Sequence, residues 1–108
     1  MTTFGEFLRE ERKKLGLNQS EFGHYLNIIM TDISKIENGH KIFPFDNLEA
    51  LAKLIEREYF ELKNLYVADR LVEEVRKYKC SDEVFSVAET QSRNMRYRKA
   101  KQSKIKFK

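Results

Sequence analysis

The sequence is poor in residues that several classes of protein depend on. Its 108 residues include no tryptophan, one cysteine, one proline and four glycines. A single cysteine, Cys80, excludes an intramolecular disulfide and a zinc site built from several thiolates. The scarcity of proline and glycine favours helices. No apolar run approaches the roughly 20 residues that a membrane-spanning helix needs, so no membrane segment is predicted.

Charge is plentiful but unevenly distributed along the chain. Charged residues make up 35% of the sequence and hydrophobic residues 41%, enough for most of the chain to fold. Residues 93–108 (RNMRYRKAKQSKIKFK) contain eight lysines and arginines and no acid. Since the whole chain carries +4, residues 1–92 carry −4. The folded part must therefore bind a partner through the local arrangement of its charges. The tail is expected either to add salt-dependent attraction to phosphates or to serve only as a solubility appendage.

The first half of the chain has the start and stop signals of three short helices. Thr3 to Glu6 and Asn18 to Glu21 both match the capping box that begins a helix. We expect a first helix over about 4–15, ended by Gly16, and a second from 19 to about 26. Asn27 tolerates a left-handed backbone and so allows a tight turn into a third helix, which ends near residue 37.

The second half also reads as helical. A fourth helix is predicted to open at Pro44 to Asp46, and a fifth to run over about 58–79. The fifth carries more apolar residues than the stripe that one small core requires. A helix restarts near Ser81, and a basic arm follows about Arg98. There is no strand pattern and no internal repeat, so the fold class is all-α.

One run of about twenty residues meets the demands of a helix-turn-helix, two short helices joined by a tight turn. Counted from Gln19, the fifth place must be small where the helices cross, and it is Gly23. The ninth must accept a left-handed turn, and it is Asn27. The fourth, eighth, tenth, fifteenth and eighteenth must be apolar, and they are Phe22, Leu26, Ile28, Ile33 and Ile36.

The sequence resembles the Cro and phage-repressor type of helix-turn-helix, also called the xenobiotic-response-element (XRE) family. The matching stretches are LREERKKLGLNQSEFGHYL, DISKIENG and LEALAKLIE. The resemblance covers about 4–62 and implies a compact five-helix domain that binds duplex DNA, usually as a dimer. Asn27 stands where the family usually has glycine, Ile29 where it has a Ser or Thr cap, and Pro44 one residue later than the usual loop proline.

The resemblance assigns base reading to the exposed residues at the start of the third helix, which lies in the major groove. Lys35 can donate to guanine or to a phosphate, Thr31 can touch a thymine methyl, and Asn38 can reach adenine or the backbone. Ile29 and Met30 can make only apolar contacts. The candidate reading residues are Ile29, Met30, Thr31, Ser34, Lys35 and Asn38.

Other positions of the family pattern have supporting roles. Gln19 matches a position that commonly hydrogen-bonds a phosphate, the alternative being a solvent-facing residue. Glu37 matches an acid that usually pairs with an arginine of the first helix, here Arg9 or Arg12. His40 and Lys41 lie in a loop that often touches the DNA backbone.

Asp32 lies among the reading residues but carries the wrong charge for DNA. Its carboxylate either accepts a hydrogen bond from a cytosine amino group, faces away from the DNA, or stabilises the positive N-terminus of the helix electrostatically. For His24 and His40, no acid or thiolate partner stands at ligand spacing, so no metal is expected. Neither a catalytic set nor a cofactor motif is visible, and the chain is not expected to be an enzyme.

Three parts are therefore predicted: a DNA-binding domain over 1–64, a helical, dimer-forming extension over 65–92 and a flexible basic tail over 93–108. The expected function is a homodimeric, sequence-specific regulator of transcription, more a repressor than an activator, of the phage, restriction-modification or self-regulating type. The alternative is an antitoxin-like module whose residues 80–108 wrap a toxin-like partner protein. The N-terminus lacks a signal-peptide pattern, so the expected location is the cytoplasm, on the nucleoid when DNA is bound.

Overall fold

The structure, a computed structural model, describes residues 3–106, with side chains for residues 3–101. This part of the chain is all-α, as predicted, and contains no strand. A single 3-10 turn, Phe45–Asn47, precedes the fourth helix. The six helices are α1 (Phe4–Lys14), α2 (Gln19–Leu26), α3 (Met30–Glu37), α4 (Leu48–Leu54), α5 (Tyr59–Lys77) and α6 (Glu83–Lys106).

The first two helices begin as their sequences indicate. The Thr3 hydroxyl accepts from the backbone N–H of Glu6 at 3.1 Å, and the Glu6 carboxylate accepts from that hydroxyl at 3.2 Å. At α2 the full capping box forms, because Asn18 accepts from the N–H of Glu21 and the Glu21 carboxylate accepts from the N–H of Asn18. Both caps satisfy backbone donors that would otherwise lack partners.

The chain divides into two compact units, Met1–Arg70 and Leu71–Lys108. The first unit contains a single apolar core to which α1 to α5 all contribute. Burying these side chains is the main source of its stability. The buried apolar residues are Phe4, Leu8, Phe22, Leu26, Ile28, Ile33, Ile36, Phe43, Leu48, Leu51, Ala52, Leu62 and Tyr66.

Hydrogen bonds fix the middle of α5 to this core. The Tyr66 hydroxyl donates to the backbone carbonyl of Phe43 at 2.5 Å, and the Asp69 carboxylate accepts from the backbone N–H of Phe4 at 3.0 Å. Asn47 donates to the carbonyl of Leu26 at 2.6 Å, which satisfies an acceptor at the end of α2. The surroundings of α2 and α3 are therefore held by specific polar contacts as well as by packing.

The fourth helix begins later than predicted. Pro44 has an extended backbone (φ −64°, ψ 124°) and precedes the 3-10 turn, so α-helical geometry starts only at Leu48. A helical segment does begin near Pro44 to Asp46, as predicted, but its first residues form a 3-10 turn rather than an α-helix. A proline is tolerated at the N-terminal boundary of an α-helix and of a 3-10 turn, because its fixed φ and its missing N–H cost nothing there.

The second unit contains α6, whose described side chains are almost all exposed. The sequence led us to expect a basic arm after about Arg98, but the helix continues to Lys106. Lysine, arginine, glutamine and alanine are good helix formers, and this segment has no glycine or proline to stop it. The side chains of residues 102–108 lie outside the described part, so the predicted role of the tail's last cations rests on sequence alone.

Within the described residues, none of the helices combines the length and the apolar character that crossing a membrane requires.

Candidate nucleic-acid interface

The α2–turn–α3 segment has the geometry that the sequence pattern predicts. Asn27 adopts a left-handed backbone (φ 57°, ψ 41°) and lets the chain reverse between the helices. A Cβ added at Gly23 would lie 2.2 Å from the carbonyl oxygen of Ile28, so only glycine fits the crossing. The five positions required to be apolar are all buried: Phe22, Leu26, Ile28, Ile33 and Ile36.

The N-terminal part of α3 presents most of the predicted reading residues on an exposed surface. Ile29 is the N-cap and makes no side-chain capping bond, in keeping with the missing Ser or Thr. Ile29 and Met30 are 67% and 52% exposed, so both apolar side chains can be reached by a partner. Thr31 and Lys35 are also exposed, whereas Ser34 is half-buried. The start of α3 therefore offers both apolar and hydrogen-bonding contacts to a partner.

A buried carboxylate supports the other end of α3. Glu37 is only 2% exposed. Arg12 donates to both of its oxygens, from Nε at 2.7 Å and from Nη2 at 3.0 Å, a bidentate pair. Arg9 Nε and Gln19 Nε2 donate to Oε1 at 3.4 Å and 3.1 Å. The predicted pairing of Glu37 with Arg9 or Arg12 is confirmed, and both arginines take part.

These partners also control the ionisation of Glu37. Burial by itself would raise the pKa of this carboxyl, but the hydrogen bonds from Arg12, Gln19 and Arg9 and the charge of Arg12 outweigh it and hold the pKa below its ordinary value of 4.5. Glu37 is thus a stable anion that ties α1 and α2 to α3. It belongs to the scaffold of the surface rather than to the surface itself.

Two candidate contact residues are partly engaged within the protein. Gln19 is half-buried, and its amide nitrogen is directed to Glu37. The side-chain oxygen of Asn38 accepts from Arg9 Nη2 at 2.6 Å, which leaves the Asn38 amide N–H groups as donors to a partner. The Asn38 oxygen keeps a second lone pair, so both contacts expected of Asn38, to adenine and to the DNA backbone, remain open.

The loop after α3 adds a contact that the sequence pattern did not show. Lys41 Nζ lies 2.7 Å from Asp32 Oδ2, so the acid of the first turn of α3 pairs with a candidate contact residue of the loop. His40 is exposed, and its backbone N–H donates to the carbonyl of Lys35 at 2.7 Å, which ends the helix. None of the three alternatives stated for Asp32 included this pairing with Lys41, which the structure adds to them.

Comparison with known families agrees with this geometry. The family model HTH_3, described as helix-turn-helix, matches residues 8–62. The chain belongs to this helix-turn-helix family. The matched range contains α2, the turn at Asn27 and α3, and the resemblance to the Cro and phage-repressor type is confirmed.

A solved helix-turn-helix protein shares the fold. The crystal structure of the P22 c2 repressor, in complex with synthetic operator 9T in the presence of Tl⁺, superposes with a TM-score of 0.52 at 29% identity. The match covers 57% of this chain and 94% of the repressor chain. A search of curated protein sequences finds no match.

Proposed function

We propose that the protein binds duplex DNA in a sequence-specific manner through α3 and regulates transcription, as a repressor rather than an activator. The observation that carries the proposal is the exposed start of α3 on a helix-turn-helix whose helix crossing, turn and buried pattern are all intact. The P22 c2 repressor, which has the same fold, was solved in complex with an operator.

The chemistry of each side chain decides whether it is proposed to contact bases or the DNA backbone. Lys35 and Thr31, exposed on α3, donate to base edges or touch a thymine methyl, and Ile29 and Met30 supply apolar contacts to thymine methyl groups. Ser34, half-buried, is a secondary reading residue. Gln19, Asn38 and His40 lie close to α3 and contact the DNA backbone, and Lys41 lies on the same surface, paired with Asp32. Because few polar side chains on α3 can contact base edges, the sequence-dependent shape of the DNA also contributes to specificity.

Substitutions in the two groups are expected to have different effects on binding. Replacing Lys35 and Thr31 with alanine removes base contacts, so affinity for a specific site should fall while affinity for random duplex changes little. Gln19→Ala removes a contact to the DNA backbone, so it should lower the affinity for all duplexes to the same extent. Fluorescence anisotropy with a selected and a random duplex measures both.

The matched control is Lys53→Ala, which removes an exposed helical lysine on α4. It should leave discrimination unchanged. Because Gln19 also donates to Glu37, thermal unfolding of its variant is needed to show that the fold persists. Equal losses on specific and random duplexes for Lys35, Thr31 and Gln19 would contradict the assignment.

We further propose that the protein acts as a homodimer through α5 and α6. Both helices leave several large apolar side chains exposed, and a surface on which such side chains collect is a candidate for burial against a second copy of the chain. On α5 these are Phe60, Val67, Leu71 and Val72, and on α6 they are Phe85, Val87, Met95 and Tyr97.

Sedimentation equilibrium at micromolar concentration should therefore show a dimer, and Leu71→Asp should shift the chain towards monomer, because it places a charge on the apolar surface. Glu74→Gln, which changes an exposed residue of the same helix, should sediment like the unmodified chain. A monomeric unmodified chain would contradict the dimer and favour the alternative, in which a partner protein covers the C-terminal helix.

A further inference from the structure

A charged pair lies on the surface that is proposed to contact DNA. Asp32 is in the first turn of α3, among the reading residues, and Lys41 follows α3 in the loop. The Lys41 ammonium lies 2.7 Å from the Asp32 carboxylate, and both side chains keep part of their surface exposed, 46% for Lys41 and 24% for Asp32. The two groups are therefore accessible to a partner as well as to each other.

The pair joins two groups that would affect DNA in opposite ways. A free Lys41 would attract any phosphate, and a free Asp32 would repel it. Paired, the two charges largely cancel, and the lysine has an anionic partner that competes with DNA phosphates for it. Attraction to phosphates carries no sequence information, so its strength sets how tightly the protein binds DNA of the wrong sequence.

We propose that Asp32 is a specificity-determining residue that acts by restraining Lys41. The ion pair lowers the sequence-blind attraction of α3 and its loop for phosphates, so that discrimination depends on base contacts. This inference rests on the proposed DNA binding. Asp32 need not touch a base in this role, which distinguishes it from an acceptor for a cytosine amino group.

A double-substitution cycle on the full chain tests the restraint. Binding to a random-sequence duplex is measured by anisotropy over a series of salt concentrations for the unmodified chain, Asp32→Asn, Lys41→Gln and the double variant. Asp32→Asn should tighten binding at low salt by about fivefold, the upper range for an exposed ion pair. It should also steepen the plot of log K against log salt by about 0.9, equivalent to one further phosphate contact.

The restraint predicts that this gain is much smaller when Lys41 is absent. In the Lys41→Gln background, Asp32→Asn removes only the direct repulsion between Asp32 and phosphates, so affinity and salt slope should change clearly less than they do when Lys41 is present. Glu49→Gln, which removes an exposed acid of α4, is the charge-matched control and should have no effect on the slope. Thermal unfolding of each variant confirms that the loss of an acid from the first turn of α3 has not unfolded the protein.

Each outcome decides the proposal. If Asp32→Asn tightens binding equally with and without Lys41, Asp32 repels phosphate directly and the restraint is wrong. If it changes nothing on a chain that binds duplex DNA, Asp32 has no part in specificity and only this inference fails. If no variant binds any duplex, the proposed function fails together with the inference.

Discussion

Replacing Glu37 with alanine is expected to destabilise the protein by about 3–5 kcal/mol, the usual cost of removing one partner from a buried ion pair. Arg12 would remain largely buried without the bidentate carboxylate that it contacts at 2.7 and 3.0 Å. Arg9 and Gln19 would lose an acceptor at the same time. Because these partners come from α1 and α2, the attachment of α3 to the rest of the domain should weaken.

Urea unfolding followed by circular dichroism measures this loss, with Glu10→Ala as the control, since Glu10 is an exposed acid on α1. The pKa of Glu37 is lowered in the folded protein, so its stabilising effect is complete above the ordinary value of 4.5 and is lost as the pH falls through the lowered pKa. The stability of Glu37→Ala should therefore decline less on acidification than that of the unmodified chain. If Glu37→Ala and Glu10→Ala lost equal free energies of unfolding, the role assigned to Glu37 would be contradicted.

Gly23→Ala is expected to cost about 3 kcal/mol, at the upper end for overpacking in a core. The new Cβ would lie 2.2 Å from the carbonyl oxygen of Ile28 and 3.2 Å from a side-chain carbon of Ile33. The carbonyl belongs to the backbone of the turn, so it cannot move away without shifting α3 relative to α2. We expect a lower unfolding midpoint and, in the fraction that folds, weaker binding to a specific duplex.

Gly16→Ala is the matched control for this substitution. Gly16 has a positive φ of 71°, but a Cβ there would meet nothing within 4 Å. Its cost is conformational, about 1–2 kcal/mol, and should leave the arrangement of α2 and α3 unchanged. If Gly16→Ala were as damaging as Gly23→Ala, to stability and to binding, the close crossing of the helices would not explain the glycine.

Local patterns in the sequence predicted the fold of the first unit well. The spacing of apolar residues from Phe22 to Ile36, the small residue at Gly23 and the left-handed turn at Asn27 each express a constraint within about twenty residues. Such constraints are visible in sequence because they depend on helical periodicity and on backbone sterics alone. The resemblance to known repressors then added the pairing of Glu37 with the first helix.

Contacts between distant elements could not be read in the same way. The sequence indicated one arginine for Glu37, but the packing of α1 and α2 against α3 brings Arg9, Arg12 and Gln19 to the same carboxylate. Lys41 reaches Asp32 because of the path of the loop, which no periodicity specifies. The DNA contacts of the exposed residues on α3, and the division of the chain at residues 64 and 92, stay predictions.

Selection from a pool of random duplexes by the 108-residue chain, followed by sequencing of the retained strands, tests the central proposal most directly. We expect one motif to be enriched, present as two copies in a palindromic or direct-repeat arrangement as a dimer requires. The Lys35→Ala and Thr31→Ala variants should lose that enrichment while still retaining DNA. Retained strands with the composition of the starting pool, or no retained strands at all, would contradict sequence-specific binding through α3.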